Sequence, residues 1–213
     1  VAISESNVVV GVPFDDVNFG DDGSAYAYRT TDGGATWNFA ERLLAPDGAL
    51  SDLFGYSVAV SENNVFVGNL RGSVYVYNTT DDGATWNFAE RLVSPDTSSD
   101  EFSRFGFSVA TFGNVLVVGE SRGNGLSSES GTAHIYATMD GGATWAFVET
   151  LEAPDGFPDD DFGASVAIYE NYVVVGAPLD DDASGVERGA AYLFSTTDGG
   201  ATWGFLEKLS APD

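Results

Sequence analysis

A single clause recurs four times along this chain and ends each time in tryptophan: Thr30 to Trp37, Thr79 to Trp86, Thr138 to Trp145 and Thr196 to Trp203, all of the form Thr-x-Asp-x-Gly-Ala-Thr-Trp. Self-similarity at a spacing of roughly 50 residues restricts the fold to a propeller, a solenoid or an array, because each unit buries its apolar face only against a neighbour. A function then sits on a surface shared by the copies or in a copy that departs from the pattern.

The rest of the repeat falls in step. Val1-Ala2-Ile3 matches Val58-Ala59-Val60, Val109-Ala110-Thr111 and Val166-Ala167-Ile168, and each copy then reaches a glycine at Gly11, Gly68, Gly119 or Gly176. A glycine-led run ending in an aromatic follows, as in Gly72 to Tyr77, and after the tryptophan a closing phrase runs to Pro46-Asp47, Pro95-Asp96, Pro154-Asp155 and Pro212-Asp213. The copies divide the chain into units 1–52, 53–101, 102–160 and 161–213. The first lacks the Phe-Gly phrase seen at Phe54-Gly55, Phe105-Gly106 and Phe162-Gly163, so the sequence starts inside a repeat and is expected to belong to a larger propeller or a longer chain.

Each unit reads as four short strands. The first is small and apolar. The second, such as Val8-Val9-Val10, is continuously apolar, as expected of a strand covered on both faces. The third alternates, as in Val74-Tyr75-Val76-Tyr77, and the fourth, Trp86 to Leu92, is expected to place Trp86, Phe88 and Leu92 on one face as a half-exposed edge. No stretch carries a helical apolar period. The expected fold is therefore all-β: four four-stranded antiparallel repeats forming β-propeller blades.

Charge narrows the partners. The 213 residues carry 33 acidic and 8 basic side chains, a formal charge of -25, which repels nucleic acid and anionic membrane surfaces. The absence of cysteine excludes a disulfide scaffold and thiolate metal sites. No apolar run approaches the ~20 residues of a membrane span, so no membrane insertion is expected of this segment.

Phe162-Gly163, Ser165-Val166-Ala167, a valine-rich strand and Gly176-Ala177-Pro178 resemble the FG-GAP repeat of integrin alpha chains and other extracellular propellers. The tryptophan clause is similar to the Asp box of sialidases. The first resemblance implies an extracellular or cell-surface protein for adhesion, assembly or ligand presentation, with a protein or glycan ligand, or neighbouring repeats of one assembly, as partner. The second implies a structural role for Asp32, Trp37, Asp81, Trp86, Asp140, Trp145, Asp198 and Trp203. On mechanical grounds each aspartate would organise a hairpin turn and each indole would pack between blades.

Strand order places the second-to-third loops and the exits to the next blade at one end, which receives 20 of the 33 acids. Clustered carboxylates suit hard cations, which makes Ca²⁺ the candidate cofactor, with a merely solvated acidic face and no cofactor as the alternative. The integrin-like calcium loop itself is missing from the short first-to-second turns, leaving Asp15, Asp16, Asp21 and Asp22, or Asp180, Asp181 and Asp182, as the metal candidates. His134, the sole histidine, stands at the repeat position of Tyr26, Tyr75 and Tyr192 and is read as a substituted tyrosine. No catalytic or cofactor-binding residue is assigned. The rival to a non-enzymatic propeller is a glycan-binding or sialidase-like one. Its chemistry would need a dedicated arginine cluster, whereas Arg42 and Arg91 merely recur at one strand position.

Overall fold

The computed structural model describes residues 1–17, 20–61, 63–97, 102–125, 129–181 and 186–210. They form sixteen strands and no helix. Blade 1 holds β1 (Ala2–Ser4), β2 (Asn7–Val12), β3 (Ser24–Arg29) and β4 (Asn38–Leu43); blade 2 holds β5 (Ser57–Val60), β6 (Asn64–Gly68), β7 (Ser73–Asn78) and β8 (Asn87–Val93). Blade 3 holds β9 (Phe105–Phe112), β10 (Val115–Glu120), β11 (Thr132–Ala137) and β12 (Ala146–Leu151); blade 4 holds β13 (Ser165–Tyr169), β14 (Tyr172–Ala177), β15 (Ala190–Ser195) and β16 (Gly204–Ser210). Each blade is one antiparallel sheet with its strands in chain order, as the fourfold sequence pattern requires.

The blades fan out from their first strands. Contacts between sheets converge on β5, β9 and β13, which touch the first, second or third strands of the blade before. The apolar second strands explain the stacking. Val9, Phe66 and Val117 are fully buried on one side of their sheets, while Val65, Val67, Val118, Val173 and Val175 are fully buried on the other. Three clusters result, one in each joint between consecutive blades. The Phe-Gly phrase also belongs to a joint: Gly23 bridges Phe54 in parallel, and Gly131 bridges Phe162, tying the start of one third strand to the entry of the next blade.

The fourth strands differ from the sequence expectation at one point. Tyr77 faces Phe88 but Val76 faces Glu90, so Ala89 is an extra residue in the ladder, and the same irregularity recurs in all four blades. A bulge of this kind breaks the alternation of faces. Trp86 and Phe88 consequently look toward the preceding blade, whereas Leu92 is turned to the following one, where it joins Phe105 and Trp145.

The bulge also aims Glu90 forward. Its carboxylate accepts the Trp145 backbone N–H at 2.6 Å, as Glu41 accepts that of Trp86 at 2.7 Å and Glu149 that of Trp203 at 2.8 Å. Each joint thus carries one identical polar pin beside its indole. Burial raises the Glu90 carboxyl above its ordinary range, against the opposing effect of the Trp145 N–H.

Candidate functional site

The tryptophan corners are built by their own side chains. Thr30 Oγ1 donates to Asp32 Oδ1 at 2.7 Å and accepts the Gly34 N–H at 2.9 Å, while the Thr36 N–H and hydroxyl donate to the two Asp32 oxygens at 2.9 and 2.7 Å. The same four bonds recur around Asp81, Asp140 and Asp198. Donors aimed at a carboxylate favour its ionised form. The Thr36 hydroxyl and amide hold Asp32 at about 2, those of Thr144 hold Asp140 at about 2, and the Thr85 amide leads the same effect on Asp81, also about 2; Asp198 is lowered too, first by the Thr202 hydroxyl. Both oxygens of each aspartate are therefore engaged in the turn.

The tight turn needs glycine at one place in particular. Gly83 has φ of +83°, and a Cβ there would lie 2.1 Å from Asn7 Oδ1 of the blade before. Trp86, Trp145 and Trp203 are 4 to 5% exposed inside the joints. Trp37, whose corner is flanked by no preceding blade among the described residues, is 37% exposed. Among the described residues, three of the four indoles thus lie in joints between blades.

At the acidic end the loops staple themselves. Asp15 accepts the Ser24 hydroxyl at 2.6 Å and the Tyr26 hydroxyl at 2.9 Å, which lowers its pKa. Asp22, buried, accepts the Val17 N–H at 2.8 Å, and Asp16 accepts the Asp21 N–H at 2.7 Å. In blade 4, Asp180 accepts the Tyr192 hydroxyl and the Lys208 ammonium, and Asp181 lies in a short antiparallel bridge with Glu187. Asp182 lies outside the described residues. Among those described, no three histidine, aspartate or glutamate side chains converge as a metal site.

Blade 3 departs from the pattern. Across the third and fourth strands the other blades pair Tyr26 with Arg42, Tyr75 with Arg91 and Tyr192 with Lys208; here His134 pairs with Thr150. His134 keeps the place of the tyrosine ring, 5.6 Å from Phe105 and 6.3 Å from Phe147 between centroids. Its Nε2 lies 2.6 Å from Oε2 of the fully buried Glu120, which also accepts the Ser94 hydroxyl at 2.8 Å, and its Nδ1 lies 3.0 Å from Thr150 Oγ1. The ring is thus held at both nitrogens, by Glu120 on one side and Thr150 on the other. Two shortened side chains leave an open concavity of about 410 Å³, lined by Asp96, Asn124, His134, Phe147, Thr150 and Glu152 among others.

The sequence singled out His134 but not its companions. The signal for Thr150 was available in the recurrence of Arg42, Arg91 and Lys208 at one repeat position. Glu120 carried none, since Val12, Asn69 and Ala177 at that place have nothing in common with it.

A family model described as FG-GAP repeat matches residues 37–84, 86–136 and 145–194. No curated protein matches the sequence significantly. Among solved structures, the crystal structure of Saccharomyces cerevisiae Sqt1 is similar in fold, with a TM-score of 0.56 and 14% identity over 98% of this chain. The chain spans 47% of that one. Among the described residues no helix is long and apolar enough to cross a membrane.

Proposed function

This chain belongs to the FG-GAP repeat family, and from that premise we propose that it is a non-enzymatic, extracellular or cell-surface propeller segment that serves adhesion, assembly or ligand binding. The family match carries this reading. It is supported by the way the recurring polar groups are spent: the four corner aspartates on their own turns, Glu41, Glu90 and Glu149 on the joints. Arg71 pairs with Asp52 and Arg91 with Asp47, in keeping with scaffold roles rather than a shared anionic-sugar clamp. Ca²⁺ bound among Asp15, Asp16, Asp21 and Asp22, or Asp180, Asp181 and Asp182, belongs to the same proposal, as a clamp on the acidic loops.

A glycan-binding reading has one specific observation in its favour. Phe39, Phe88, Phe147 and Phe205 stand at one repeat position and are 58, 44, 46 and 46% exposed, a set of flat apolar platforms beside polar groups. Binding of the purified chain to arrays of extracellular proteins and of glycans separates the two. Retention by proteins without turnover of a fluorogenic sialoside is expected. Hydrolysis of the sialoside, lost on denaturation of the chain, would overturn the non-enzymatic reading.

A further inference from the structure

The turns between first and second strands depart from the repeat in blade 3. Ser4 and Ser61 hold one position in blades 1 and 2, where blade 3 has Phe112, and Gly113 stands where blades 1 and 4 have Glu5 and Glu170. The turns of the first three blades meet where the sheets fan out. With the corner at Gly141 they line a cleft of about 400 Å³, at the end of the blades opposite the acidic loops.

Its wall is polar and nearly uncharged. Asn63, Asn64 and Asn114 bring amides, Ser61 a hydroxyl and Glu5 the single carboxylate, and no lysine or arginine stands among the described lining residues. Asn64 is 6% exposed, and among the described residues its side-chain carbonyl meets no donor. A buried acceptor left in this state is costly, and a hydroxyl entering the cleft would supply the missing donor. Phe112 adds an aromatic ring that is 40% exposed. Tyr169 of blade 4, 66% exposed, lies beside it with ring centroids 5.2 Å apart, so the aromatic floor continues past the cleft.

These groups select a ligand class. An anion would find no cation to pair with and would meet Glu5, while a wholly apolar molecule would strip water from three amides without replacing the hydrogen bonds. A neutral pyranose satisfies both parts of the wall. Its C–H face packs on the negative face of an aromatic ring, and its neighbouring hydroxyls offer the paired donors and acceptors that amides and a carboxylate match. The volume also lies within the range of about 300 to 1,000 Å³ usual for small-molecule sites.

We propose that this cleft binds one residue of a neutral glycan, stacked on Phe112 with its hydroxyls toward Asn63, Asn64, Asn114 and Glu5, and that Tyr169 carries the adjoining residue. The inference deepens the glycan-binding reading, on which it rests, by giving it a place and a chemistry different from those of the outer-strand phenylalanines.

The test is an NMR titration of the intact chain with lactose, maltose, cellobiose and N,N′-diacetylchitobiose, with 3′-sialyllactose as the anionic comparator and choline as the cationic one. Saturable shifts at Phe112, Asn64 and Asn114 are expected with at least one neutral disaccharide, at least 10-fold weaker with its monosaccharide and with sialyllactose. Phe112→Ser, which installs the residue of blades 1 and 2, should weaken binding at least 10-fold, and Asn114→Ala several-fold; Phe112→Tyr should retain it. Both Phe112 and Asn114 are exposed, and the second variant serves if the first fails to fold. Sugar binding that survives Phe112→Ser and Asn114→Ala but is lost in Phe88→Ala would overturn this site and leave the glycan reading standing. Absence of saturable binding by any of the four disaccharides would overturn both. Tighter binding of choline than of any sugar, or equal binding of lactose and sialyllactose, would overturn the assignment to a neutral ligand.

Discussion

Replacing Trp86 by alanine tests the joint between blades 1 and 2 directly. The ring is 4% exposed and sits among Val9, Ala27, Leu43 and Phe54, while its backbone N–H to Glu41 survives the substitution, so the change removes packing alone. A tryptophan buries about 150 to 250 Å², which at about 25 cal/mol per Å² corresponds to roughly 4 to 6 kcal/mol. The retained Cβ and partial collapse of the site bring the expected loss to about 3 to 5 kcal/mol. For a chain of this size that is a fall in Tm of roughly 6 to 20 °C. Trp37→Ala is the internal control: the same residue in the same corner, 37% exposed, with a single blade beneath it. Its cost should be about 1 to 2 kcal/mol, since much less apolar area leaves water there. Denaturant titrations followed by circular dichroism measure both. Equal losses for the two variants would refute the idea that the indole works by sealing a joint.

The other predictions concern charge. Glu90→Ala should cost about 1 to 3 kcal/mol by leaving the Trp145 N–H without an acceptor, whereas Glu90→Gln should be close to neutral at pH 7, because it keeps an acceptor and removes a charge that burial disfavours; thermal melts of both variants decide. Asp32, Asp81 and Asp140, held at about 2, are depressed relative to the unfolded chain, so their contribution is present above about pH 4 and is lost as pH falls toward 2. Melting curves between pH 5 and 2 should show that decline, and Asp81→Asn should flatten it. Calcium at about 100 times its dissociation constant should add ~2.7 kcal/mol if it clamps the acidic loops. A midpoint raised equally by calcium, magnesium and sodium chloride at matched ionic strength would reduce the effect to screening.

Much of this architecture could be read from the chain because it is written in local patterns. The apolar run Val8-Val9-Val10 announces a strand covered on both faces, and Thr79 to Trp86 announces a hairpin corner. What escaped depends on geometry that pattern does not record. The bulge at Ala89 adds one residue to a ladder without changing the alternation of residue types, so it was invisible, yet it turns Leu92 to the next blade and aims Glu90 at Trp145. The exposure of Trp37 reflects which sheets flank the corner, not the residues in it. The acidic loops were legible as charge but not as bonding, since the partners of Asp15 are set by how the loop folds back on Ser24 and Tyr26. In blade 3, the loss of the tyrosine was seen in the sequence, while the matching loss of the cation became visible only when His134 and Thr150 were found opposite each other.

Amide-resolved hydrogen exchange tests the account's central claim, that repeated blades are held together by one recurring joint. The backbone N–H groups of Trp86, Trp145 and Trp203 are donated across a joint to Glu41, Glu90 and Glu149, and that of Trp37 has no acceptor among the described residues. The account predicts slow exchange at the first three, comparable with the central strands, and fast exchange at Trp37. Four amides exchanging at the same rate would contradict it.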